Sequence, residues 1–432
     1  MTTMKNSNIE WIGDIPSNWD VRRNKYNFTL NKKLVGNLYN ATQLLSLTKN
    51  GIKAITEDDQ KGKVPTSFAT YQTVDKDDIV MCLFDLDVSA VFSGISGYDG
   101  MISPAYKCFK CNNDMLPRYV DYYFRTVFVN RKYKRYSKNV RYSIGADEFM
   151  ALPILIPPFS IQQSIANFLD KKCSEIDSLS ADIQSQIDVL EEYKKSVITE
   201  TLTKGLNPDV EMKDSGITWI GIIPSHWDIS RIKYCLTNND GGVWGNDPTD
   251  SNSDKVVLRS TEQTIDGHWD ITDPAIRNIG NHCKQYRIMC NDLLITKSSG
   301  SSLHIGKTTL ADEYFNQHEC YYSNFLQRLR VNKKMLPKFL WYLMNNTIVR
   351  EQFVLMQNST IGIGNINSNN INEVYIPVPN IEEQNIINQY LDLKCSEIDA
   401  IIVDKKAQLE TLAEYKKSLI YEYVTGKKEV SQ

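Results

Sequence analysis

The sequence lacks any apolar run of about 18 residues, so it offers no segment able to cross a membrane as a helix. Its opening residues, Met1 to Asn8, also lack the apolar stretch of a signal peptide, which points to the cytoplasm. The five histidines form no spaced pair, and the nine cysteines are odd in number and scattered, so neither a disulfide framework nor a metal cage can be read from them. Cys108 and Cys111 make a lone CxxC without the further two ligands a zinc site needs, which leaves metal: none as the expectation. A net charge of −3 gives no global attraction to nucleic acid, so any DNA site has to be a local patch.

Catalytic signatures are missing too. A DNA methyltransferase holds the amine of a flipped base with the first residue of an Asn/Asp-Pro-Pro-Tyr/Phe loop. Here Ile156-Pro157-Pro158-Phe159 puts an aliphatic side chain in that place, and it cannot accept the hydrogen bond. A phosphate loop needs Gly, four residues and Gly-Lys-Ser/Thr, whereas five residues separate Gly300 from Gly306-Lys307-Thr308. Pro208-Asp209 and Glu211-Met212-Lys213 nearly touch in a linker and cannot form the two facing strands of a nuclease site. No catalytic residue is assigned, and no cofactor is expected on this chain.

What is present is a globular composition, 41% hydrophobic with 10% aromatic residues over 432 positions, enough for two or more cores. The chain also repeats itself. Met4 to Tyr26 (MKNSNIEWIGDIPSNWDVRRNKY) and Met212 to Tyr234 (MKDSGITWIGIIPSHWDISRIKY) share 15 of 23 positions, including Trp11/Trp219, Pro16/Pro224 and Trp19/Trp227. Phe168 to Gly205 and Tyr390 to Lys427 share 19 of 38. Between the repeated parts lie divergent stretches, about 27–155 and 235–377, with short β-rich runs and a shared Met-Leu-Pro at Met115 and Met335 ahead of an aromatic helical run. These read as mixed α/β globules.

From Ile161 to about Thr203 there is no Pro or Gly, and Gly205 with Pro208 supplies a stop, which predicts one helix of roughly 60 Å. Its apolar residues take 3-4 spacing through Ile176, Leu179, Ile183, Leu190, Tyr193 and Val197, and the second copy runs through Ile398, Ile401, Leu412, Tyr415 and Leu419. Gln186 and Gln408 fall in the same slot of that stripe. An antiparallel pair would bring them near a pseudo-two-fold axis, as a polar contact that fixes register; the other reading leaves both facing water. The four repeated tryptophans, which could stack on bases, are assigned to pinning each domain onto the helices, because a reading element has to differ between halves.

The strongest basic signal is Arg125 to Arg141 (RTVFVNRKYKRYSKNVR), with seven basic and no acidic residues. It nominates Arg131, Lys132, Lys134, Arg135, Lys138 and Arg141 for DNA phosphates, each neutralised phosphate adding about −0.9 to the slope of log affinity on log salt. A plain solvated helix end is the other reading. Lys49, Arg259, Lys297, Ser298 and Lys307, with Lys284 and the loop Ser359 to Asn365, are looser candidates on exposed loops.

The paired WIGDIPSNWD and WIGIIPSHWD blocks, each ahead of a divergent stretch, and the Pro-then-Gln helix starts IPPFSIQQSIANFLD and VPNIEEQNIINQYLD resemble type I restriction-modification specificity subunits over essentially the whole chain. The second start carries Glu382-Glu383-Gln384 where the first departs with Ser160-Ile161-Gln162. The resemblance implies an α/β (α+β) fold with two mixed target-recognition domains, at 1–155 and 206–377. It places long spacer helices at 156–205 and 378–432, antiparallel and coiled-coil, with an internal pseudo-two-fold repeat. It further implies a non-enzymatic chain that reads a split, asymmetric site on double-stranded DNA and docks two methyltransferase subunits. Endonuclease/translocase subunits would then join. S-adenosylmethionine belongs to the methyltransferase, and ATP and Mg²⁺ to the endonuclease. The reading of a different class is a protein-protein scaffold with two heads on a rigid helical spacer and no DNA partner.

Overall fold

A computed structural model describes residues 3–430 apart from 49–50, 57–58, 60–66, 87–91, 130–131, 133–135, 138–141, 251, 300–303 and 357–363. The chain divides into two compact units, one made of residues 1–184 with 406–432 and the other of 185–405. Two long helices, α2 (Phe159–Lys204) and α4 (Ile381–Val424), each contribute one part to each unit.

In unit 1 the strand Lys107–Cys111 pairs antiparallel with Phe28–Asn31 on one side and Ile79–Met81 on the other, and Ser93–Ile95 completes the four-stranded sheet. A second sheet orders Gly51–Ile55, Leu44–Thr48, Gly100–Ile102 and Gln72–Val74, with one parallel pairing among antiparallel ones. Helix α1 (Pro117–Val129) presents Tyr119, Val120, Tyr123, Phe124 and Val127 to the core. This is the 3-4 stripe of an amphipathic helix, and those rings close over Phe28, Phe109 and Phe149.

Unit 2 repeats the plan. Leu326–Val331 pairs with Leu236–Gly241 and with Leu293–Thr296, and Thr308–Leu310 sits on the far edge. A three-stranded sheet of Ala275–Asn278, Asp254–Leu258 and Cys320–Tyr322 again contains one parallel pair. Helix α3 (Pro337–Asn345) takes the place of α1, burying Phe339, Leu340 and Leu343.

The helical seam differs from the stripe read in the sequence. Between residues 173 and 197 the buried or half-buried positions of α2 are Cys173, Ile176, Ser180, Ile183, Ile187, Leu190, Lys194 and Val197, alternating steps of three and four. Between 395 and 419 on α4 they are Cys395, Ile398, Ile402, Lys405, Leu409, Leu412, Lys416 and Leu419. Half of each heptad matches the expectation, and the other half is displaced by one residue. Leu179, Tyr193, Ile401 and Tyr415 therefore face outward, and so do Gln186 and Gln408.

Gln186 and Gln408 are thus not core register residues. Gln186 sits beside the seam, where its Oε1 accepts from Lys405 Nζ at 2.5 Å. Register is carried by cross-helix pairs instead: Lys416 to Asp177 at 2.6 Å in unit 1, and Lys194 to Asp399 at 2.6 Å in unit 2. Within each unit the two helical segments run antiparallel, as these pairs and the Phe168–Tyr423 ring contact at 4.4 Å require. A lysine at a seam position keeps its aliphatic stem in the packing while its ammonium reaches a carboxylate on the partner helix.

Candidate nucleic-acid interface

Each divergent domain is fastened to its helices by the same set of side chains. Gln162, fully buried, accepts from Leu116 N at 2.8 Å through Oε1 and donates through Nε2 to the carbonyls of Asp114 and Pro157, both at 2.9 Å. Gln384 does the same with Leu336 N, Lys334 O and Pro379 O at 2.8, 2.9 and 2.8 Å. The shared glutamine of the two helix starts is therefore an internal strut that satisfies otherwise orphaned backbone groups, and the departure at Ser160-Ile161 leaves it intact. Tyr122 donates to Asp170 at 2.9 Å and Tyr342 to Asp392 at 2.7 Å, with Arg118 and Lys338 pairing to the same two acids.

Of the four repeated tryptophans, two pack against the ends of the long helices, and Trp11 and Trp219 are half-buried. Trp19 and Trp227 are buried. Both long helices end on a left-handed glycine pressed against such a ring: a Cβ on Gly205 would lie 3.1 Å from Trp227 Cζ2, and one on Gly426 would lie 3.2 Å from Trp19 Cη2.

One equivalent place where the halves diverge follows the strands Ile79–Met81 and Leu293–Thr296. In unit 1 Leu83 O accepts from Ile144 N at 2.8 Å, and in unit 2 Lys297 O accepts from Ile366 N at 2.8 Å. Ile144 and Ile366 are where the chain returns from the two loops nominated in the sequence, the basic run ending at Arg141 and the loop Ser359 to Asn365. Leu83 is in the core, whereas Lys297 is half-buried beside polar side chains. The same backbone joint thus carries different chemistry in the two units.

Of the residues nominated for DNA, Lys49, Arg131, Lys134, Arg135, Lys138 and Arg141 lie outside the described residues. Lys132 is half-buried, and Arg125, at the head of the run, pairs with the buried Asp121 at 2.8 Å. In unit 2 the structure brings Lys297, Ser298 and Asn365 together, with Ser298 opposite Asn365 in a short antiparallel pairing. Arg259 is elsewhere, tied at 2.5 Å to the buried Glu262, and Lys284 is exposed.

Lys307 is a correction. It is 3% exposed, and its Nζ donates to the carbonyls of Ser260 and Gln263 at 2.8 and 2.6 Å, so it is a core strut whose burial keeps it from phosphate. Burial pushes its ammonium below the ordinary lysine value, and the Arg350 guanidinium adds to the effect. Thr308 Oγ1 is likewise turned inward, to Gly306 O at 3.0 Å, which disposes of the phosphate-loop resemblance structurally.

A feature that sequence reasoning did not assemble is a polar cleft of about 340 Å³ in unit 1, where Lys32, Lys33 and Lys110 surround Thr73 and Asp75 above a buried Asp78. Three separated segments build it, so only the Lys32-Lys33 doublet was visible as a signal. Burial raises the Asp78 carboxyl above its ordinary value against the opposing pull of Lys110. A carboxyl with a raised folded-state pKa stabilises the fold below its unfolded pKa and loses that contribution as pH climbs through the folded value. Asp78→Asn, which keeps an acceptor for Asp75 N, is therefore expected to raise the melting temperature of unit 1 at pH 7 and to make no difference near pH 3. A difference that shrinks from pH 3 to pH 7 contradicts this.

Among the described residues no group of three or more His, Cys, Asp or Glu could hold a metal, and no helix is long and apolar enough to cross a membrane. Burial raises the Cys108 and Cys111 thiols to about 12, so both stay protonated at neutral pH.

Residues 230–411 match the family described as type I restriction modification DNA specificity domain. The chain is 24% identical over 286 residues to the type I restriction enzyme MjaVIII specificity subunit of Methanocaldococcus jannaschii, a match covering 65% of this chain and 63% of that protein. It is 22% identical over 245 residues to the EcoKI specificity subunit of Escherichia coli K12, covering 56% and 50%. These two matches span between half and two thirds of the relatives' lengths, whereas the putative MjaX specificity subunit of M. jannaschii aligns at 22% over 96% of this chain and 95% of its own. Among solved structures, a chain from a study of complex assembly and conformational transition of the type I R-M system superposes with a TM-score of 0.71 at 14% identity, covering 95% of this chain and 98% of that one. The HsdS subunit from Thermoanaerobacter tengcongensis follows with a TM-score of 0.52 at 14% identity, covering 96% and 98%. At such identities the likeness shows the fold.

Proposed function

We propose, from the premise that this chain belongs to the family of type I restriction-modification specificity subunits, that its two divergent domains each read one half of a split, asymmetric site on double-stranded DNA. The observation that carries this reading is the shared joint at Leu83 and Lys297: two units of like plan carry a buried leucine at that place in one and a half-buried lysine in the other. Two readers built alike but lined differently recognise different base sequences. The long helices set the unread gap between the halves.

The same helices dock two methyltransferase subunits. Leu179 and Tyr193 on α2, and Ile401 and Tyr415 on α4, are 48, 49, 46 and 52% exposed and occupy matching slots of the repeated sequence. Large apolar side chains kept outward twice over fit a partner that binds twice. S-adenosylmethionine is then held by the methyltransferase, and ATP and Mg²⁺ by endonuclease/translocase subunits that join the assembly in the cytoplasm. This chain supplies sequence selection and assembly without chemistry of its own.

Single-molecule methylation sequencing of host DNA tests the reading. With residues 27–155 exchanged for the corresponding stretch of a relative, one half of a split methylated motif is expected to change while the other half stays. Methylation that is unaffected in every motif favours the scaffold reading, in which the two heads hold protein partners.

A further inference from the structure

The half-buried Lys297 sits in a relay of amides that holds it in place and leaves its charge unbalanced. Its backbone is fixed on both sides, N donating to Phe325 O at 3.0 Å and O accepting from Ile366 N at 2.8 Å. Its Nζ donates to Gln327 Oε1 at 3.3 Å. Gln327 Nε2 in turn donates to Asn239 Oδ1 at 2.7 Å and to Ser368 Oγ at 2.8 Å, and Asn239 Nδ2 donates to Asn372 Oδ1 at 2.8 Å.

Among the described residues no carboxylate pairs with this ammonium. Asp240, on the strand beyond Leu326–Val331, is taken by Arg328 at 2.6 Å. Gly241 stands opposite Gln327, and a Cβ there would come within 3.2 Å of Nζ, so the glycine leaves the ammonium approachable. Burial lowers the Lys297 ammonium below the ordinary lysine value.

We infer that Lys297, held by the Gln327–Asn239–Ser368 relay, is the base-reading residue of unit 2 and selects a guanine in the half-site that this unit reads. The inference rests on the DNA-reading function proposed above and gives it a residue and a base. A lysine ammonium has donors and no acceptor. In the major groove only guanine offers two acceptors, N7 and O6, with no donor beside them; adenine and cytosine present an amine that repels the ammonium, and thymine offers one oxygen next to a methyl group. The position also has to differ between readers of different half-sites, and its counterpart in unit 1 is the buried Leu83.

A phosphate oxygen is also an acceptor, and the two sources separate by experiment. The full chain with its methyltransferase partner is expressed as wild type, Lys297→Met and Lys297→Arg, and host DNA is sequenced for methylation. The wild type is expected to show a split motif with an invariant guanine in one half. Lys297→Met is expected to relax that single position, lowering discrimination there by about 10- to 100-fold, with all other positions unchanged, and Lys297→Arg to keep the guanine. Methylation reduced evenly over all target sequences, down to complete loss, marks a phosphate contact and overturns the assignment. So does a Lys297→Met motif identical to that of the wild type, or one relaxed at a base other than guanine. A wild-type chain that directs no split motif defeats the DNA-reading function itself, a separate outcome.

Discussion

Expressed alone, residues 1–205 are expected to form a stable homodimer. In the full chain, unit 1 is closed by the end of α4: Leu419 and Val424 complete the core that holds Ile165, Leu169 and Ile176, with Leu412 and Tyr423 packed at its margin. The half-length chain lacks those residues but carries their repeats. Val197, Leu202 and Leu190 stand in α2 where Leu419, Val424 and Leu412 stand in α4, and Lys194 stands where Lys416 meets Asp177. A second copy running antiparallel can therefore supply both the apolar cover and the cross-helix ion pair, twice by symmetry. The ion pairs contribute at most about 1 kcal/mol each and act mainly on register, so the apolar cover makes dimerisation close to all-or-none at micromolar concentration. Sedimentation at several concentrations checks this. A folded, strictly monomeric 1–205 would show that the seam does not need its second strand.

The second large effect belongs to Asp292. Its carboxylate, buried in unit 2, accepts from Met289 N at 2.9 Å and from Arg330 Nε and Nη2 at 2.6 and 2.8 Å, and lies 4.0 Å from the buried Arg328. Removing Asp292 takes the acceptor from Met289 N and the partner from Arg330, whose side chain is 38% exposed, while Arg328 keeps Asp240, so the cost falls below the roughly 3–5 kcal/mol of breaking a fully buried pair. Asp292→Ala is thus expected to strip hydrogen-exchange protection from 293–296 and 326–331 while leaving 79–81 and 107–111 of unit 1 as they were. Asp292→Asn, which keeps an acceptor for Met289 N but loses the charge, is expected to cost less. Equal protection in Asp292→Ala and wild type would mean that Asp240 alone suffices for both arginines. The equivalent acid in unit 1, Asp78, accepts from Asp75 N and has no arginine fork among the described residues, so Asp78→Ala is expected to be the milder lesion.

Much of this architecture is legible in the sequence because duplication writes it twice. The long helices, the divergent globules and the structural tryptophans all follow from comparing the chain with itself. The heptad does not, because polar side chains occupy its inner positions. Ser180, Lys194 and Lys416 lie in the seam, while Leu179, Tyr193 and Tyr415 one residue away look like better core and are exposed. Apolar character in these helices therefore marks exposed positions as well as the interior.

The candidate interface is less legible for a related reason. Lys297 and Lys307 look alike in the sequence, ten residues apart in a hydroxyl-rich stretch. Only the fold puts the carbonyls of Ser260 and Gln263 around one ammonium and leaves the other without a counter-charge. The glutamines of the helix starts are recognisable as a motif, yet their task becomes clear only when Asp114 and Lys334, far along the chain, are seen to lie against them.

The split composition of unit 1, residues 1–184 with 406–432, gives the two units different histories on the ribosome. Unit 2 is continuous, so everything it requires has been synthesised by residue 405. Unit 1 begins before unit 2 and is completed after it, because Leu419 and Val424, which cover Ile165, Leu169 and Ile176, follow residue 405. At roughly 5–20 residues per second, the nascent chain waits on the order of 10–50 seconds between making that surface and making its cover. For that interval the amino-terminal half exposes a seam that the same seam on a neighbouring nascent chain can cover, so pairing between chains competes with closure within one until the residues from 406 onward are made.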